Sequence, residues 1–252
     1  MDEENGGTTR GWCRRCRRWH WLGRGNSLIH ARRLINRLEQ QRTLADGAAA
    51  PDLSTDALFV PGGGKMFGVL VCADDEGKEV ALRAFSGQYN GLFSAPGWSP
   101  PLFPAAEYRR LAAEADERIK TLTVQMAGLD ARDRRRVQLR QERQAISRAL
   151  MPRLHGLYRL QNLRGETASI FQAWAGPGGI PTGAGDCCAP KLLCEAARKN
   201  LRPLGICEFF FGDGGTGKEA RRHLDLYPAC TAKCQPLLGF LLCGLDGMGP
   251  KS

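Results

Sequence analysis

The chain has 252 residues, 42% hydrophobic and 25% charged, a balance that suits a folded globular protein of one large or two small domains. Lys and Arg number 36 against 26 acids, and the formal charge of +10 favours anionic partners, nucleic acid being the commonest large one. No apolar run approaches the about 18 residues of a membrane span, and the acidic, polar opening MDEENGGTTR is unlike a secretory leader.

Residues 1–60 read as a basic, partly disordered segment with one amphipathic helix, residues 1–10 being the disordered tail. GWCRRCRRWHWLGRG interleaves arginines with three tryptophans and two cysteines. In SLIHARRLINRLEQQR, Leu28, Ile29, Leu34, Ile35 and Leu38 share a helical face, with Ser27 as N-cap. The loop ADGAAAPDLSTD leads to a predicted β-hairpin: an apolar strand over 66–72, the turn DDEG, and a second strand over 80–85. GWSPPLFP must be extended or turning.

From 105 to about 162 the composition is that of a long helical pair. Ile119, Leu122, Met126 and Leu129 carry the stripe of the first helix, GLDARD supplies the break, and Ile146, Leu150 and Leu157 continue on the second, which Pro152 should kink. After the linker WAGPGGIPTGAG come a helix opening at Cys187 and Cys188, a strand ending in FFFG, a further strand suggested by the alternation of RRHLDLY, and the apolar PLLGFLLCGL. The expected class is α+β: a hairpin-containing sheet, a long antiparallel helical hairpin and a Cys-rich C-terminal αβ segment. Residues 61–252 then form one composite domain with the helical hairpin inserted at 105–163.

Ten cysteines without a secretory leader point to thiols, metal ligands or catalysis in the cytoplasm or an organelle (chloroplast or mitochondrion), not to a secreted disulfide framework. Cys72, Cys194, Cys207 and Cys243 sit among apolar neighbours and read as packing. Cys13-x-x-Cys16 with His20 offers three zinc ligands but no fourth nearby. The same stretch reads as an RNA-contacting segment, with Arg14, Arg15, Arg17 and Arg18 for phosphate and Trp19 and Trp21 for base stacking. GDGGTGKE nearly spells a phosphate loop, but Glu219 stands where a hydroxyl should meet magnesium.

In the C-terminal half, Cys187 at a helix start, a following strand and then His223 give the layout of transglutaminase-like and papain-like thiol enzymes. Cys187 would be nucleophile, His223 base and Asp225 the orienting carboxylate. Cys187 or Cys188 with His223, Cys230 and Cys234 equally makes a three-cysteine, one-histidine zinc set, and plain packing is a third reading of the same residues.

Three blocks in order, GKMFGVLV…AFSG…PPLF, SRALMPRLHGLYRLQNLRGE and GAGDCCAPKLL…RPLGICEFFFG…RRHLDLYPACTAKCQPLLGF, carry a resemblance over roughly Gly64 to Leu242. The chain resembles there the long N-terminal extension of some bacterial and plant pseudouridine synthases of the ribosomal large-subunit type. The family's catalytic His-Arg-Leu-Asp motif has no counterpart: RHLDLYP at 222–228 reverses the first two residues and lacks the Thr-Ser-Gly that follows. What the resemblance implies is therefore an RNA-associated accessory protein without isomerase activity. The thiol enzyme and a structural zinc module are the alternatives.

Overall fold

The computed structural model describes residues 8–46, 51–217 and 220–247. Of the tail expected to be disordered, residues 1–7 lie outside these. Thr9 and Arg10 instead begin β1 (Thr9–Cys13), which pairs antiparallel with β2 (Arg18–Leu22). Next comes α1 (Ser27–Gln41), which buries Ala31, Leu34 and Leu38 but leaves Ile29 exposed, so the apolar stripe is narrower than the sequence suggests.

The centre is a three-stranded antiparallel sheet in which β3 (Lys65–Ala73) lies between β4 (Glu79–Phe85) and β7 (Arg202–Phe211). KMFGVLVCA is almost unbroken apolar sequence because β3 is buried on both faces. Met66, Leu70 and Cys72 enter one core, while Phe67, Val69 and Val71 enter another beneath α1.

Between β4 and β7 the chain makes the expected helical pair, α2 (Ala105–Ala127) and α3 (Arg134–His155). Asp133 caps α3 by accepting from the Arg135 amide at 2.7 Å. The second helix stops at His155, earlier than its composition implies. After Gly156, a small hairpin of β5 (Arg159–Gln161) and β6 (Thr167–Ser169) takes over, followed by the one-turn α4 (Ile170–Ala173).

Then α5 (Cys188–Arg198) lies across β3, β4 and β7. Gly68 makes this possible, since a Cβ there would sit 2.6 Å from the Cβ of Cys188. The short α6 (Gln235–Leu241) closes the fold against α5 and receives the ribbon of β1 and β2. The class is α+β with a Cys-rich C-terminal segment, as the sequence indicates. No described helix is long and apolar enough to cross a membrane.

RRHLDLY does not form the strand its alternation suggests. His223 and Leu224 sit in a turn, Leu224 has φ of +69°, and only Leu226 bridges to β7, opposite Phe209.

Candidate metal centre and nucleic-acid face

In the ribbon, alternate residues face opposite ways. Thr9, Gly11, Cys13, His20 and Leu22 turn inward, and Gly11 lies so close to α6 that a Cβ would run into the backbone of Gly239. This contact carries Cys13 and His20 to the C-terminal end of α6, where the chain turns through Cys243 and Gly244. Cys16, on the turn between the strands, completes a cluster: one ligand atom each from Cys13, Cys16, His20 and Cys243, all within 4.8 Å of one another. Cys243, expected to be simple packing, is thus the fourth member that the Cys13–Cys16–His20 trio lacks.

The geometry suits a tetrahedral ion. Cys16 Sγ lies 3.0 Å from His20 Nε2 and 3.9 Å from Cys243 Sγ. Sulfurs bound to one zinc at about 2.3 Å stand roughly 3.8 Å apart, so the cage needs little adjustment. Burial raises the Cys16 thiol, but hydrogen bonds with His20, Cys13 and Cys243 outweigh it and bring it down to about 6. Burial, then Cys13 and Cys16, push Cys243 up to about 12. Without a cation Cys16 therefore becomes a thiolate readily, whereas Cys243 resists losing its proton. A divalent ion such as zinc removes that limit by binding the thiolates together. On the far side of the ring, His20 Nδ1 has no hydrogen-bond partner and stands 3.7 Å from Asp246 Oδ2. A carboxylate there can orient a metal-bound imidazole. Three cysteines and one histidine form a closed set with no open position, which is a structural rather than a catalytic arrangement.

The outward face of the ribbon bears Trp12, Trp19 and Trp21, which are 37%, 50% and 64% exposed. Trp12 and Trp19 are cross-strand partners in an edge-to-face pair 6.1 Å apart, and the Arg10 guanidinium lies 5.8 Å from the centre of the Trp19 ring. Arg14, Arg15, Arg17 and Arg18 are all exposed on the turn and the start of β2, with Arg15 paired to Glu166 at 2.8 Å. Of the RNA-contact residues picked from sequence, Trp19 and Trp21 share the outward face, to which the structure adds Arg10 and Trp12, Arg14, Arg15 and Arg17 stand on the turn beside it, and Arg18 lies on the side of His20.

The C-terminal candidates are only partly brought together. Cys187, Cys230 and Cys234 converge within 4.8 Å, and Cys187 and Cys234 form a disulfide with Cα atoms 6.6 Å apart. Not every cysteine is thus a free thiol or ligand. His223 is not in this group. Its ring packs edge-on against Phe59 and Phe211, and its Nδ1 accepts from the Gly212 amide at 2.9 Å. Phe211 belongs to the core beneath α1, whereas α5, which Cys187 caps, packs on the opposite face of the sheet. The structure brings together neither the Cys187–His223 pair nor the four-ligand set containing His223, and Asp225 is exposed on the same turn. The turn at Leu224 replaces the strand that would have been needed to present them.

Asp186 and Cys188, neighbours of Cys187, are structural. The Tyr158 hydroxyl donates to Asp186 at 2.7 Å, and Cys188 donates to the carbonyls of Met66 and Ala84 with burial holding its thiol protonated. In the near phosphate loop, Lys218 and Glu219 lie outside the described residues. Comparison with protein-family models, curated proteins and solved structures finds no match to this chain.

Proposed function

We propose that the chain is a non-catalytic RNA-binding accessory module in which a zinc ion, held by Cys13, Cys16, His20 and Cys243, fixes an Arg/Trp ribbon for contact with single-stranded RNA. The observation that carries this reading is the ligand cluster directly behind the exposed Trp12, Trp19 and Trp21 face. Three large rings held open to solvent on a two-stranded ribbon are costly to leave wet, and such rings stack on bases whatever the sequence. The surrounding guanidiniums supply phosphate contacts, and the closed ligand set supplies rigidity. The resemblance to the extension of pseudouridine synthases points to the same class of partner.

The test is binding of a short single-stranded RNA, followed by anisotropy over a salt series. Affinity should fall steeply with salt, and each of Arg14→Ala, Arg17→Ala and Arg18→Ala should lower the slope by about one. Trp19→Ala and Trp21→Ala should each weaken binding by about tenfold without altering thermal stability, because both rings are exposed. Binding that is absent, or indifferent to these five residues, removes the proposal.

A further inference from the structure

Beside the ribbon turn lies a pocket of about 820 Å³, lined by Arg14, the end of α3, α4 and the glycine-rich loop at 176–179. Two of its lining residues, His155 and Trp174, only 4% and 6% exposed, each carry a buried polar atom with no partner: His155 Nε2 and Trp174 Nε1. Buried polar groups are nearly always satisfied, so two orphans at one pocket call for an explanation.

Their chemistry is complementary. The His155 ring hydrogen-bonds the backbone of Pro181, which offers only a carbonyl, so the ring nitrogen used there is the donor. Burial lowers the pKa of the ring and keeps it neutral. Nε2 is then a bare acceptor, while the Trp174 indole N–H is a bare donor. Phe171 adds a half-exposed ring beside His155, with centroids 6.3 Å apart. Arg14 and Arg148 bring positive charge, and among the described residues none lining the pocket is acidic.

A flat, polar-edged group next to an anion fits this wall. We propose that the pocket receives one unpaired nucleobase of the RNA strand lying along the ribbon, its ring against Phe171, its Watson–Crick edge on His155 Nε2 and Trp174 Nε1, and its phosphate against Arg14 and Arg148. This rests on the RNA-binding reading above. Every nucleobase carries a donor beside an acceptor on that edge, and single-stranded RNA is read in this way, by stacking and edge hydrogen bonds. Neither orphan atom meets solvent, so the loop at 176–179 must shift for the base to reach them. Gly176 lies against the Cε2–Cζ2 edge of the Trp174 indole, with no side chain in the way.

The experiment follows the indole N–H resonances of the whole zinc-loaded protein by NMR, with Trp174 identified as the signal missing from Trp174→Phe. The probes are a single-stranded RNA pentamer, a nucleoside 5′-monophosphate and inorganic phosphate. The pentamer should move the Trp19, Trp21 and Trp174 signals, the mononucleotide should move Trp174, and phosphate should leave Trp174 in place. Phe171→Leu, at an exposed ring, should weaken the pentamer by about tenfold and abolish the Trp174 shift while the ribbon signals still respond.

If the pentamer moves only the ribbon signals, the pocket inference falls and the ribbon reading stands. Movement of Trp174 alone keeps the pocket and sinks the ribbon. Phosphate reproducing the Trp174 shift, or Phe171→Leu changing nothing, overturns base recognition, and a spectrum that no probe alters overturns both proposals.

Discussion

Replacing Cys243 with serine is expected to empty the metal centre and free the ribbon from α6 while the central sheet stays folded. A two-stranded ribbon is at best marginally stable alone. This one turns only Thr9, Gly11, Cys13, His20 and Leu22 inward, a small apolar surface. Its attachment includes the contact of Gly11 with Gly239, the Arg15–Glu166 pair, and the four candidate ligands that join the ribbon to the segment after α6. Isolated zinc modules gain about 10–16 kcal/mol of apparent binding energy from the ion, and even half of that falls within the roughly 5–15 kcal/mol stability of a whole domain.

Wild type should therefore purify with close to one zinc per chain, and Cys243→Ser with almost none. Hydrogen exchange should show β1 and β2 losing protection, in the variant and in chelated wild type alike, while β3, β4 and β7 keep theirs. Cys207→Ser, at a buried thiol outside the cluster, is the control and should keep its metal. Metal-free wild type with a protected ribbon would make the cluster a set of packed thiols and end the zinc reading.

How much of this was legible in the sequence depends on how local its causes are. The unbroken apolar run of β3, the charged helical pair with its Asp133 cap, and the start of α5 at paired cysteines follow from neighbours within a few residues, and all appear in the structure. RRHLDLY has the right alternation for a strand, but the residues that decide its path are elsewhere: Phe59 and Phe211 hold the His223 ring, and Leu224 turns with positive φ. Period alone cannot reveal that competition.

The metal centre is illegible for a related reason. Cys13, Cys16 and His20 announce themselves by spacing, but the fourth candidate ligand lies 227 residues from Cys16, in a stretch, LLCGL, that reads as core. Only the docking of the ribbon on α6 pairs them. The glycines at 11 and 239 are the trace that contact leaves in the sequence, and glycine is too common a residue for one close approach to be read from it.

Glu208→Gln is expected to stabilise the protein at pH 8 and to change little at pH 5. Glu208 lies on β7 beneath the start of α5 and accepts from the Ala189 amide at 2.9 Å. Burial dominates its surroundings and raises its pKa to about 7, although the Ala189 amide and Arg221 both pull it down. In the unfolded chain the carboxyl ionises near its ordinary value of 4.5. Between these two values the folded state holds a proton that the unfolded state has lost, so stability is highest below about pH 4.5, declines as pH rises toward 7, and then levels off. At about 1.4 kcal/mol per pH unit, the whole decline is roughly 3 kcal/mol. Glutamine keeps the oxygen that accepts from Ala189 and carries no charge to bury, so the variant should lack this decline over the same range.

Urea unfolding of both proteins at pH 5 and pH 8 measures the difference. The competing effect is the attraction of a carboxylate to the amides at a helix N-terminus, worth about 0.3–1 kcal/mol at exposed sites and up to about 2 when partly buried. If wild type is equally stable at both pH values and Glu208→Gln weakens it at pH 8, that attraction wins and Glu208 works as a buried anion. The full burial of the carboxyl, with one amide donor and an exposed arginine at a distance, puts the balance on the side of the proton.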